Sequence, residues 1–152
     1  MNEETTVDDM YRDYVLDHYK HPHNFGRLEH PDVSAAEDNP LCGDRITIDL
    51  QIEDGRVVDV RFQGRGCAIS QAAASMLTDM IKGQRLEEIA ALDAQELLEE
   101  LGIPLSPVRQ KCALLSLKVL KSGVSTVQRT VEHWALPGKN GEKPVQSDRK
   151  LP

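Results

Sequence analysis

Aromatic side chains are scarce in this chain: two Phe, three Tyr and one Trp among 152 residues. A core must therefore rest on Leu, Ile, Val and Ala, and a chain of this length can bury roughly 70% of its unfolded surface. Positive charge is also in short supply, with 18 Lys and Arg against 25 Asp and Glu and a net charge of −7. That balance argues against binding along a nucleic-acid backbone. No apolar run approaches the roughly 20 residues of a membrane span. The opening stretch "MNEETTVDDM" is acidic and polar, unlike a secretory or mitochondrial leader. The expectation is a cytoplasmic protein that binds neither nucleic acid nor membrane. There is no G-x-S-x-G, no H-E-x-x-H and no phosphate-cradling glycine loop, which argues against common hydrolase and nucleotide chemistries. Nor is there a C-x-x-C pair, so the chain is no zinc ribbon.

Only three cysteines are present, Cys42, Cys67 and Cys112, an odd number that cannot all pair internally. A lone cysteine is ordinarily a small buried hydrophobe. Here the surroundings matter. Cys42 lies in "NPLCGD" (39–44), two residues before Asp44 on a Pro/Gly corner. The strands that follow bring it toward Cys67. "ITIDLQIE" and "VVDVRFQ" alternate in polarity around "EDGR", the pattern of a hairpin over 46–63. A two-residue Asp54-Gly55 turn would set Ile48 against Arg61. A three-residue loop, Glu53-Asp54-Gly55, instead pairs Ile46 with Phe62, Ile48 with Val60 and Leu50 with Val58, all on one face. Continued outward, this register puts Asp44 opposite Gly64 and Cys42 opposite Gly66. Cys67 then stands next to Cys42, and a bulge in "GRG" (64–66) would turn it to the same face.

Helices are expected around this hairpin. Val7, Met10, Tyr11, Tyr14, Val15 and His18 follow helical spacing up to Pro22. Ala73, Met76, Leu77, Met80 and Ile81 form a second stripe that ends at Gly83, its methionines read as core filling. Asp93 and Glu96 resemble a capping box, with Gly102 as the stop. Residues 85–101 carry six carboxylates and one Arg, read as a solvated helix face. Ser106 and Pro107 open a longer helix with Val108, Cys112, Leu115 and Val119 on one side, and Gly123 is expected to kink or split it. One domain is expected over 5–136, with the Gly/Pro-rich segment 137–152 as a flexible tail.

Three thiolates and one carboxylate make a four-ligand set that suits tetrahedral Zn²⁺ or a small iron–sulfur cluster. Metal coordination deprotonates a thiol outright. On spacing alone Cys112 could equally be a buried thiol. His18, His21, His23 and His30 offer competing ligands, read as loop histidines with His18 half-buried on its helix.

Three stretches in order, "NPLCGD" (39–44), "GRGCAIS" (64–70) and "SPVRQKCALL" (106–115), closely resemble the U-type iron–sulfur assembly proteins: IscU, SufU and the N-terminal part of NifU. "DHYKHPHNFG" (17–26) is similar to that family's N-terminal stretch. The resemblance implies an α+β fold: a small antiparallel sheet, the hairpin plus a short strand, with helices on one face and the metal site at one tip. It implies that Cys42, Asp44, Cys67 and Cys112 are metal or cluster ligands. It further implies that Cys42 accepts sulfur from a cysteine desulfurase. Gly43 would give that corner its freedom of movement.

Two branches of the family leave different marks. Lys111, just before the third cysteine, is SufU-like, where IscU proteins carry histidine. The 44 residues between Cys67 and Cys112 are the short, IscU-like form. The IscU chaperone-recognition motif is matched only loosely by "LSPVR" (105–109). Weighting Lys111, the resemblance implies a zinc-bound sulfur acceptor. The alternative is a scaffold that assembles a nascent [2Fe–2S] cluster from iron and sulfide on the same ligands and passes it to apo-proteins. A third reading is a purely structural zinc module. Arg109 and Lys111 stand beside Cys112 as residues that would tune the thiolates or touch a partner, or simply face solvent.

Overall fold

The computed structural model describes residues 7–40 and 43–134. Helix α1 (Val7–Lys20) leads into a loop, then three strands, β1 (Val33–Asn39), β2 (Asp44–Glu53) and β3 (Arg56–Arg65). Four helices follow: α2 (Ala68–Ile81), α3 (Leu86–Ala90), α4 (Ala94–Leu101) and α5 (Pro107–Trp134). The strands form one antiparallel sheet in the order β1-β2-β3. The α+β class and the small antiparallel sheet match expectation. The short third strand is β1, whose "VSAAEDN" carries little hydrophobic alternation of its own.

The hairpin register differs from the one the alternation suggested. Ile46 pairs with Gly64, Ile48 with Phe62 and Leu50 with Val60. The turn is the two-residue Asp54-Gly55, with φ of 53° and 76°. Both residues are left-handed, the geometry whose twist matches the flanking strands. The apolar faces still agree because the register slips by one between Gln51 and Ile52. That bulge leaves Val58 as the extra residue, so Val57 is buried while Val58 is 41% exposed. The irregularity therefore sits near the turn rather than at residues 64–66.

One face of the sheet presents Ile46, Ile48, Leu50, Val57, Val60 and Phe62 to the helices. Helix α2 packs on β3, and α5 crosses β1 and β2. Buried Ala72, Ala73 and Ala74 let α2 approach closely, and Met76 and Leu77 fill the space between layers. Helix α5 runs unbroken through Gly123. The helix is not split there, and the glycine serves packing: a Cβ would stand 3.0 Å from Val33 Cγ1 and 3.4 Å from Ala35 Cβ on β1. Asp93 caps α4 through the Gln95 N–H, and Gly102 closes that helix at φ 69°. The segment read as a single acidic helix face is two helices, α3 and α4, which bury Leu86, Ile89, Leu97 and Leu101. The stretch 137–152, expected to be a tail, lies outside the described residues.

The other face of the sheet is crossed by the loop after α1. Gly26 N–H donates to the Phe62 carbonyl at the free edge of β3, and Asp32 N–H donates to the Leu50 carbonyl where β1 begins. Between them Asp49, fully buried on the central strand, pins the loop. Its carboxylate accepts from Arg27 Nε at 2.7 Å, from Ser34 Oγ at 2.7 Å and from Leu28 N–H at 3.0 Å. Burial works against the Asp49 carboxylate, but Arg27, Ser34 and Leu28 together hold its pKa below the ordinary value. His18, expected to be half-buried, is fully buried at the end of α1. Burial first, and then the neighbouring His23 ring, push the His18 pKa below its ordinary value.

Replacing Arg27 leaves a buried carboxylate with weaker support. The guanidinium is half exposed, so solvent screens the loss and the cost is below that of breaking a fully buried pair. A depressed folded pKa means that Asp49 contributes its stability above the ordinary carboxylate range and loses it as pH falls through the folded value. Urea unfolding of Arg27→Ala should therefore show a gap from wild type that is full at pH 7 and shrinks below about pH 4. An equal gap at pH 7 and pH 3 contradicts this role.

Candidate metal centre

Three elements meet at the end of the hairpin away from its turn. Asp44 opens β2, Cys67 is the N-cap of α2, and Cys112 lies in the second turn of α5. One ligand atom from each lies within 4.8 Å of the others. Asp44 and Cys112 are buried and Cys67 is half-buried. Cys42 and its neighbour Leu41 lie outside the described residues. The backbone resumes at Gly43 with φ 72°, and its N–H closes a turn on the Asn39 carbonyl at 2.8 Å.

Local geometry explains how Cys67 comes to face Asp44. The ladder ends at Arg45 opposite Arg65, and Gly66 then leaves the strand with φ 145°. That conformation suits glycine, and so does the space: a Cβ on Gly66 would fall on the Asp44 carboxylate. Cys67 takes an extended N-cap conformation, and its N–H donates to Asp44 Oδ1 at 3.1 Å. The Cys67 thiol donates to Asp44 Oδ2 at 3.6 Å. The turning of Cys67, ascribed from sequence to a bulge, comes from this exit from strand to helix.

Among the described residues the sheet holds two buried carboxylates, Asp44 and Asp49, and the contrast between them is informative. Asp49 has a guanidinium, a hydroxyl and a backbone N–H. Asp44, only 1% exposed, has one N–H and one thiol, and no cation pairs with it among the described residues. An ionised carboxylate out of water needs a compensating positive charge. A metal ion among two sulfurs and this oxygen supplies one, and the soft donor set fits zinc or iron. Orphan donors support the fit. Gln71 Nε2 and Ser116 Oγ are buried with no hydrogen-bond partner among the described residues. They stand four residues after Cys67 and Cys112, one turn on along the same helix faces. Sequence reasoning did not find either residue, although the four-residue spacing was available. It also missed the Gly66 contact, which depends on the true register.

Arg109 and Lys111 are exposed in the first two turns of α5, and the Arg109 N–H is occupied by Ser106 Oγ at 3.3 Å. The histidines do not join the thiols. His18 and His23 gather instead with Asp79. No described helix is long and apolar enough to cross a membrane.

Comparison with known proteins places this geometry. The family model of the NifU-like N-terminal domain matches residues 10–133. The chain is 35% identical over 144 residues to the zinc-dependent sulfurtransferase SufU of Bacillus subtilis, spanning 82% of this chain and 96% of that protein. It is 36% identical over 115 residues to the iron–sulfur cluster assembly scaffold protein IscU 1 of Archaeoglobus fulgidus, spanning 76% of this chain and 74% of that protein. Among solved structures, the N-terminal part of a NifU-like protein from Brucella abortus superposes with a TM-score of 0.65 at 25% identity, over 81% of this chain and 97% of that one. With that match along most of its length, the chain belongs to the NifU-like N-terminal domain family, alongside the SufU and IscU iron–sulfur cluster assembly proteins.

Proposed function

We propose that this protein is a zinc-bound sulfur acceptor in iron–sulfur cluster assembly, with Cys42 receiving sulfur from a cysteine desulfurase and Cys42, Asp44, Cys67 and Cys112 as the metal ligands. The observation that carries the reading is the buried, cation-free Asp44 carboxylate facing two thiols. Lys111 adds to it, since it stands where scaffold-type members carry a histidine. The SufU relative, matched over nearly its full length, is named for zinc-dependent sulfur transfer.

Zinc, when bound, holds its cysteines as thiolates and offsets the charge of Asp44. The chain's residues do the rest. The Cys42 thiolate attacks the outer sulfur of the desulfurase persulfide. The S–S bond of that persulfide breaks, the desulfurase cysteine leaves as a thiolate, and Cys42 carries the new persulfide. No net oxidation occurs. Left-handed Gly43 and exposed Pro40 flank the segment that carries Cys42, and Asp44 is anchored to the Cys67 N–H. Arg109 and Lys111, exposed beside Cys112, are placed to meet an acidic partner surface or to tune the thiolates. The site is built onto a core that is complete without it, so a purely structural zinc module is the weaker reading.

The scaffold reading has one feature in its favour, the short spacing between Cys67 and Cys112, shared by resemblance with IscU-type members. In that case the same ligands hold a [2Fe–2S] cluster as cargo for apo-proteins. Anaerobic incubation with iron and sulfide separates the two. The acceptor stays colourless with zinc retained, and a stable visible absorption band would establish the scaffold. Sulfur acceptance itself is read by mass spectrometry after incubation with desulfurase and cysteine. Wild type should gain sulfur and Cys42→Ser should not, and equal gain by both would remove Cys42 from the role.

A further inference from the structure

A second group of ligands lies on the opposite end of α2. Asp79 is 12 residues beyond Cys67, about 18 Å along the helix axis, so the two sites are separate. His18 from the last turn of α1 and His23 from the loop converge on Asp79, one ligand atom of each within 4.8 Å of the others. Metal–nitrogen and metal–oxygen bonds of about 2.0–2.2 Å place tetrahedral ligand atoms about 3.3–3.5 Å apart. To reach that spacing the His23–Asp79 contact of 2.6 Å opens, and the three ligand atoms start within 4.8 Å of one another.

The surroundings hold these three side chains in place. Ser75 Oγ meets His18 Nδ1 at 2.7 Å and accepts the His23 backbone N–H at 2.8 Å, so one hydroxyl positions both histidines. Where His18 Nδ1–H is the donor to Ser75, Nε2 keeps its lone pair, the arrangement that metal-bound histidines use. The His18 and His23 rings lie 4.4 Å apart between centroids, and Tyr14 packs edge-on against His18 at 4.8 Å. Asp79 Oδ2 is 2.6 Å from His23 Nδ1, and Asp79 Oδ1 accepts from Asn24 Nδ2 at 3.0 Å. Asn24 is itself held in a left-handed conformation, φ 58°, and its side chain accepts from Lys82 Nζ at 3.2 Å. An ordinary surface ion pair between His23 and Asp79 needs neither a buried second imidazole at stacking distance nor a shared serine.

We propose that His18, His23 and Asp79 form a second metal site, which takes one divalent ion of the zinc, cobalt and nickel class. Two imidazoles and a carboxylate suit that class better than magnesium or calcium, which prefer oxygen alone. His23 and Asp79 are each 47% exposed, so the ion enters from solvent and keeps a coordination position for water. The site is open and exchangeable, unlike the buried thiol centre.

Cobalt distinguishes the two sites without altering the cysteines. Tag-free full-length protein is first given one equivalent of zinc, then titrated with Co²⁺. The expected result is one further bound equivalent with weak visible d–d bands and no sulfur-to-cobalt charge-transfer band. His23→Gln and Asp79→Asn, both at exposed positions, should each weaken that binding at least about tenfold while the zinc content stays the same. Should the thiols hold no zinc, cobalt fills them first and reveals itself by the charge-transfer band. Failure of the thiol-site reading is thereby separated from failure of this one. A spectrum with the charge-transfer band alone, no second equivalent, or a second equivalent unchanged in both variants would overturn the proposal.

Discussion

A carboxylate removed from water must be neutralised or paired, and the placing of Asp44 makes that requirement acute. The side chain is 1% exposed, lies where Gly66 leaves no room for a Cβ, and meets only a backbone N–H and a thiol. The idealised cost of moving such an ion into a dry interior is on the order of 20 kcal/mol before relaxation. Nothing cationic among the described side chains offsets it. The local architecture is intelligible once a metal ion is allowed to do so: the glycine exit from β3, the cysteine at the N-cap of α2 and the cysteine in the second turn of α5 all point donors at one spot.

The fold builds that spot from three elements, β2, α2 and α5. Strand β2 is the centre of the sheet, α2 continues directly from β3, and α5 spans β1 and β2 through close packing at Gly123. Asp49 locks the loop across the back of the same central strand. A short segment joins β1 to β2. It contains Pro40 and left-handed Gly43, and it carries Cys42. In the proposed sulfur transfer, Cys42 is the thiol that travels while the remaining ligands hold their positions.

Much of this was legible in the sequence, and the failures have physical causes. Helical stripes located α1, α2 and α5 because their apolar spacing is regular, and Gly102 marked the end of α4 because only a left-handed residue fits there. The hairpin was found but its register was not. Two rules conflicted, a two-residue Asp-Gly turn and an unbroken apolar alternation, and the chain satisfied both by a bulge that alternation cannot reveal. β1 has little periodicity, since it is covered by α5 rather than by its own pattern. Gly123 carried the wrong meaning because close helix–strand approach is invisible in a single helix's sequence. The three cysteine stretches raised Asp44, Cys67 and Cys112 as one group. The grouping of His18 and His23 with Asp79 was beyond reach, since more than 50 residues separate the histidines from the aspartate.

Membership of the NifU-like family and the geometry around Asp44 meet in a single statement about coordination. X-ray absorption at the zinc edge, on protein loaded with one equivalent of zinc, tests that statement most directly. The account predicts a four-coordinate ion with three sulfurs at about 2.3 Å and one oxygen at about 2.0–2.2 Å. A coordination shell of nitrogen and oxygen alone, with no sulfur, would contradict it.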